Sequence, residues 1–293
     1  VTDLLTDMKG KIVASQEQNV DREKIQTDIV ALREQINAVV GAAQFNGLNL
    51  LSNRETDAGS GNVNVLASLD RSSDGVSASD ISVAKKDLGT TASEVVGGTV
   101  ANLTAAATLN ATQTASLAVT EPTGAGQVFS IGLTGVDTDG SNLTPADYTT
   151  GTTAADAQKI MYIARDGDTA GDVAKGLAQA YAIYAAEEGL DTDVLNVTAS
   201  GGNLSISSTV IDATDTVAAR IDTLTTPTSV TIGGGLEKLN DIDVATDEGA
   251  DAALVAIEFM IQNSIDSAAS FGSAQGRIET QADFISSLTD SLK

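Results

Sequence analysis

The side chains of this 293-residue chain that could do chemistry are carboxylates and a few tyrosines, because the sequence contains neither cysteine nor histidine. Those two absences remove disulfides, thiol nucleophiles, Ser-His-Asp and Cys-His systems, histidine general bases and the common zinc and iron ligand sets. What remains is oxygen chemistry. Asp166, Asp168 and Asp172 stand around Gly167 and Gly171 like the start of a calcium loop, but the position that should hold a bidentate glutamate is Leu177. Thr169 as a helix N-cap, with Asp172 closing a capping box, accounts for the same residues better. The acidic middle of the chain still leaves room for a weak divalent-cation site. A glycosidase needs two spaced carboxyl groups, and Asp and Glu are so numerous here that no pair stands out. Asp137 with Asp139, and Asp191 with Asp193, lie among turn residues and read as solvated loop charges. Gly233-Gly234-Gly235 is followed by Leu236-Glu237-Lys238 instead of the Lys-Ser/Thr of a phosphate loop, and reads as a flexible joint. Tyr162, Tyr181 and Tyr184 could form a ring platform for a sugar. Their neighbours Leu177, Ala178 and Ile183 favour burial of those rings against a sheet. No catalytic group, cofactor or metal set is therefore expected, and the chain does not read as an enzyme.

The elements that carry these residues follow from periodicity. Leu4, Leu5, Met8, Ile12 and Val13 mark an amphipathic helix near the start. Asp21 is a plausible cap for a second helix with Glu23 in its first turn, where helix-end amides favour negative charge. Along that helix Ile25, Ile29, Leu32, Ile36, Val39 and Ala43 recur at alternating steps of four and three, the seam spacing of a coiled coil. Over the last 45 or so residues, Leu254, Ile257, Ile261, Ile278 and Ile285 belong to one proline-free apolar-periodic run. A helix of about 40 residues is roughly 60 Å long and must lie in a bundle or rod, and residues 21–43 are its expected partner. Ala252, Ala253, Ala256, Ala268, Ala269 and Ala274 would let neighbouring helices approach closely.

Between these ends the texture changes to Gly, Thr, Ser, Asp and Asn with short alternating apolar runs, as in β structure. The runs are 62–69, 80–84, 127–133, 194–199, 203–207 and 229–232, with Ser200-Gly201-Gly202-Asn203 as a hairpin turn. One helix is expected over 170–188, and 95–127 has only weak periodicity. Sixteen Lys plus Arg against 40 Asp plus Glu give a net charge of −24, which disfavours nucleic acid and anionic membrane surfaces. No run of about 18 apolar residues suggests membrane insertion.

Two blocks carry a family resemblance. The first is Asp21-Arg22, Ile25, Asp28-Ile29, Leu32 and Gln35-Ile36, followed by Gln44-Phe45-Asn46-Gly47-Leu48-Asn49. The second is Ile242-Asp243-Val244-Ala245-Thr246, then Glu248-Gly249-Ala250, Ala253-Leu254, Ile257 and Gly272-Ser273-Ala274-Gln275-Gly276-Arg277. In this order, around a variable insert, they resemble bacterial flagellins over roughly residues 1–70 and 236–293. The resemblance implies an α+β protein: a long antiparallel helical rod formed by both termini (1–60 plus 243–293), and a β-rich outer domain (61–242) of one or two subdomains containing one helix. It further implies a structural subunit of the flagellar filament, extracellular, polymerising with its own kind, and served by an export chaperone and a cap. In the family further helical segments flank the rod, so Val1 and Lys293 are expected to be cuts. Flagellins detected by the animal innate receptor carry basic residues and a Glu-Leu pair in the first rod helix; Leu5-Thr6-Asp7-Met8-Lys9-Gly10-Lys11-Ile12 departs from that pattern and counts against such recognition. The rival reading is a cell-surface binding protein whose outer domain recognises a polysaccharide or other ligand.

Overall fold

The computed structural model describes residues 1–45, 47–72, 75–141 and 143–291. Helix α1 spans Thr2–Ser15 and α2 spans Arg22–Ala42, and Asp21 caps α2 by accepting the Lys24 N–H at 3.1 Å. Two short strands follow, β1 (Gln44–Phe45) and β2 (Leu48–Asn49), then the long hairpin β3 (Asn62–Ser72) and β4 (Gly75–Ala84). Next come β5 (Glu94–Val96), β6 (Thr99–Asn102), β7 (Ala107–Leu109), β8 (Gln113–Ala118) and β9 (Val128–Val136). After them run the short helix α3 (Ala154–Ala157), β10 (Met161–Ile163), the helix α4 (Ala170–Glu187), β11 (Asn196–Ser200), β12 (Asn203–Ser208), β13 (Thr216–Thr225) and β14 (Ser229–Thr231). The chain closes with α5, Asp247–Ser291, which at 45 residues is the long helix expected from the apolar run.

The outer domain is antiparallel throughout. β13 is its central strand, flanked by β9 on one side and by β6 and β7 on the other, with β10 beyond β9; β11, β12 and β8 form a second sheet. Helix α4 lies on these strands, and Phe129, Leu133, Val173, Leu177, Tyr181, Leu204 and Ile221 meet in one buried cluster. Period-two patterning foretells β9, β11 and β12 but passes over β13. That strand is buried on both faces over most of its length, so Thr216-Val217-Ala218-Ala219-Arg220-Ile221-Asp222 shows no clean alternation. The unplaced stretch 95–127 supplies β6 and β7 to one edge of β13 and β8 to the smaller sheet.

Helices at both termini make the rod, though their pairing differs from the expected one. α5 runs antiparallel to α1, with Thr2 opposite Ser264 (2.7 Å between hydroxyls), Lys9 paired to Glu258, and Gln16 donating to Asp251 at 2.7 Å. On another side α5 is antiparallel to α4, through Lys175 with Asp266 and Gln179 with Asn263. α2 folds back on α1, where Lys11 Nζ meets Asp28 Oδ2 at 2.6 Å. The short 16–21 turn forces that return, and Ala250, Ala253 and Ala256 let α5 sit close to the bulky Leu5, Met8 and Ile12 of α1 instead. The rod cluster also takes in Leu88, Ile183, Leu236, Leu239 and Ile242, so packing continues across the expected boundary at residues 242 and 243.

The triple glycine is not a loose joint. Gly233 and Gly234 are buried, Gly234 accepts no side chain because a Cβ there would lie 1.9 Å from Gly89 O, and Arg165 Nη2 donates to Gly233 O at 2.8 Å. The outgoing and returning chains cross here in direct contact. Asp87, nearly fully buried, fastens the crossing by accepting N–H groups from Asn53, Gly89 and Gly235.

Candidate assembly interface

The seam of α2 begins as its spacing predicts. Ile29 and Ile36 are buried, and Ile25 and Leu32 pack half-exposed against the same cluster. At the next step the structure buries Val40 and leaves Val39 46% exposed. A straight helix drifts from a strict heptad by about 20° per repeat, and without a supercoiled partner α2 follows its own 3.6-residue period. On α5, Ile257 is buried and Leu254 and Ile261 pack against the cluster, whereas Ile278 is half-buried and Ile285 is exposed. Among the described residues α1 meets α5 as far as Ser264 and α4 as far as Asp266, and beyond them the β3–β4 hairpin lies beside α5. Arg277 Nη2 donates to Ser82 O there at 3.0 Å.

Residues 282–291 of α5 are exposed on every side. Within them Ile285 at 40% and Leu288 at 47% continue a stripe begun by Ala274 and Ile278, at helical steps of four, seven and three, and Phe284 at 60% stands beside them. That is the face of an amphipathic helix with no partner among the described residues. Val13, Val30 and Ile265 add exposed apolar side chains elsewhere on the rod.

The quoted motifs have local physical reasons. Gln44 pairs with Asn49 and Phe45 with Leu48 in a two-residue hairpin with Gly47 at φ +80; Asn46 lies outside the described residues. Asn49 makes the turn useful, its Nδ2 donating to Val40 O at 2.8 Å and its Oδ1 accepting Leu51 N–H at 2.8 Å, so the end of α2 is capped by the strand that follows. At the start of α5, Thr246 Oγ1 accepts the Gly249 N–H at 3.0 Å, a Cβ on Gly249 would lie 2.4 Å from Asp243 O, and Ala250 is fully buried in the rod. Glu248 stands in the first turn, where the amide ends favour a carboxylate. Two residues outside the apolar pattern join the ends more directly than the seam does. Gln26 donates to Ile242 O at 2.8 Å and accepts Val244 N–H at 3.0 Å, as a strand would, and Arg22 reaches Ser15 O, Ala245 O and Asp247. Polar residues one turn into a helix give no periodic signal for that role.

The tyrosines do not make a platform. Tyr181 is 1% exposed and donates to Leu195 O at 2.6 Å, and Tyr184 packs against the same cluster. Tyr162 donates to Asp168 Oδ2 at 2.7 Å and accepts from Arg165 Nη1 at 3.1 Å. Each ring has its polar end or its face committed inside the domain. The carboxylates of the would-be calcium loop are similarly engaged, with Thr169 and Asp172 forming the full capping box of α4 and Asp166 Oδ2 accepting Gly61 N–H at 2.8 Å.

A sequence model of the bacterial flagellin N-terminal helical region matches residues 1–56, the part holding α1, α2 and the β1–β2 turn. Flagellin A of Rhizobium meliloti is 26% identical over 99% of this chain and 67% of its own length, and Flagellin B of the same organism is 27% identical over 99% and 66%. The chain is thus similar to bacterial flagellins along its whole length, and its first 56 residues match their N-terminal helical region. A stronger but local match, 39% over 75 residues, is to Flagellin C of Rhizobium meliloti strain 1021, covering 26% of this chain and 23% of that one. The chain spans about two thirds of the length of the flagellins it matches end to end. Among solved structures, FliC from Burkholderia pseudomallei aligns with 94% of this chain and 93% of its own at 13% identity and a TM-score of 0.37, too loose a superposition to carry an argument. No helix among the described residues is long and apolar enough to cross a membrane.

Proposed function

We infer that the chain is a structural subunit of the extracellular bacterial flagellar filament, acting by self-assembly and without a catalytic step. Residues 1–60 and 243–293 supply the rod and 61–242 the outward-facing domain. The observation that carries this reading is the stripe of Phe284, Ile285 and Leu288, without a partner among the described residues, on a long helix of a chain whose first 56 residues match the flagellin N-terminal helical region. An apolar helix face left in water on an otherwise strongly acidic protein is a contact surface, and a second copy of the rod presents the matching kind of surface. Family logic adds an export chaperone and a filament cap as further partners. The test is expression from its gene in a flagellin-null strain, comparing the natural sequence with Phe284→Asp/Leu288→Asp. Secreted but unpolymerised variant, with no filaments by electron microscopy, is expected; filaments of ordinary length and number would sink the assignment of this face.

A further inference from the structure

One end of the β9–β13 ladder is built from acidic and hydroxyl side chains. Val136, the last residue of β9, pairs with Thr216, the first of β13, so the register sets Asp137 and Asp215 together just past the final pair. Thr138 fastens the crossing, its N–H donating to Asp215 Oδ1 at 2.9 Å and its hydroxyl to Thr214 O at 2.6 Å. Asp139 then turns back, its N–H donating to Asp137 Oδ1 at 2.9 Å. One carboxylate oxygen from each of Asp137, Asp139 and Asp215 thereby lies within 4.8 Å of the other two.

Acidic clusters on a solvated surface are ordinary, and this one differs in a single respect. Asp215 is 0% exposed, and its Oδ2 meets no hydrogen-bond donor among the described residues. None of the three carboxylates pairs with a described Lys or Arg. A carboxylate with a buried, unsatisfied oxygen, set beside two further carboxylates, is unfavourable as the bare anion, and a bound cation would compensate it.

We propose that Asp137, Asp139 and Asp215 form a calcium site at the tip of the β9–β13 ladder. Three carboxylates are hard oxygen ligands of the right charge for a divalent ion. Their origin on a turn and a separate strand suits calcium's tolerance of irregular coordination better than the near-ideal octahedron that magnesium demands. Asp139 is exposed and Asp137 half-exposed, which leaves one side of the site to water. The affinity expected is that of extracellular calcium modules, a dissociation constant of about 10⁻⁴–10⁻³ M. Asp137-Thr138-Asp139 read alone is a pair of loop charges; the third ligand comes from 76 positions further on, by β pairing, where no linear pattern would find it.

The test uses the whole purified chain. Calorimetric titration with calcium chloride should show one site per chain, and thermal melts should rise in calcium more than in equal magnesium. Asp137→Asn/Asp139→Asn, with changes confined to the accessible turn, should melt as the natural protein does in chelator and lose both responses. Asp215→Asn should lose them too, with its near-ultraviolet tyrosine signal reporting whether the domain is folded. Absence of calcium heat from the natural chain at about 10⁻³ M, the weak end of that range, overturns the site, as does an undiminished calcium response in the double variant.

Discussion

The rod and the outer domain bury apolar surface in different ways. The outer cluster is closed around large side chains, Phe129, Tyr148 and Tyr181, and the two tyrosine hydroxyls find backbone carbonyls at Asp191 and Leu195. Among the described residues the rod cluster has no fully buried aromatic, Phe259 packing against it only partly buried; it is Leu5, Met8, Ile12, Ile29, Ile36 and Ile257 against a series of alanines, with ion pairs along its rim. A core with aromatic anchors can be complete within one chain. Thin helices bridged by small residues leave their outer faces open, and here those faces carry Val13, Val30, Phe284 and Leu288. The rod leaves apolar side chains in water, whereas the outer domain closes over its own. α4 joins them, with Leu177 and Tyr181 in one cluster and Ile183 in the other.

Damaging each core in turn while watching both puts this contrast at most risk. All four tyrosines, Tyr148, Tyr162, Tyr181 and Tyr184, belong to or pack against the outer cluster, and the chain has no tryptophan. The near-ultraviolet signal therefore reports the outer domain, while far-ultraviolet ellipticity is weighted towards the rod helices. Ile29→Asp buries an unpaired charge at a 2% exposed position and should destabilise the rod by on the order of 5 kcal/mol. Its far-ultraviolet midpoint should fall well below its tyrosine midpoint. Phe129→Ala, next in size at about 3–5 kcal/mol, should do the reverse. If either variant shifts both midpoints together, the two cores are one cooperative unit and α4 is a rigid bridge.

How far the sequence discloses this arrangement depends on whether a signal is local. The capping box of α4, the Asp21 cap, the 196–208 hairpin and the length of α5 are written in neighbouring residues, and each is where the pattern puts it. Partner choice is not local. A seam states that a helix has a buried face but not which helix covers it, so α5, expected on α2, lies on α1 and α4. The central strand β13 is hidden for the opposite reason, since burial on both faces erases alternation. The seam itself is legible to within one residue, and Val39 against Val40 measures that residue. Val40→Ala removes two buried carbons and should cost about 2 kcal/mol, read in the far-ultraviolet melt. Val39→Ala should stay within about 0.5 kcal/mol, as surface changes do. Equal losses would mean that a heptad seam, supercoiled against a partner, is the better description of α2.

The smallest expected difference is in acid, where ion-paired carboxylates and buried ones respond with opposite sign. On the rod, the hydrogen bond from Lys11 and its charge lower the Asp28 carboxyl, and the hydrogen bond from Lys175 lowers Asp266. Groups lowered on folding contribute stability above the ordinary aspartate value of about 4 and lose it as pH falls through the lower folded value. In the outer domain burial raises Asp168 and Asp222 against the opposing pull of their hydrogen-bond partners and of Arg165 and Arg220. Their charged forms are penalised, so protonation helps: the gain is complete below about 4 and is lost as pH rises through the raised values. Relief of the net charge of −24 acts on both regions in the same direction. Between neutrality and about pH 4 the tyrosine midpoint should therefore rise relative to the far-ultraviolet midpoint, and below about 4 the lowered carboxylates, Asp28 and Asp266 on the rod and Asp139 and Asp156 in the outer domain, lose their contribution. A rod that weakens first near neutrality, or an outer domain that loses ground on the way down to pH 4, would show that the carboxylates at these two sites do not control the acid response.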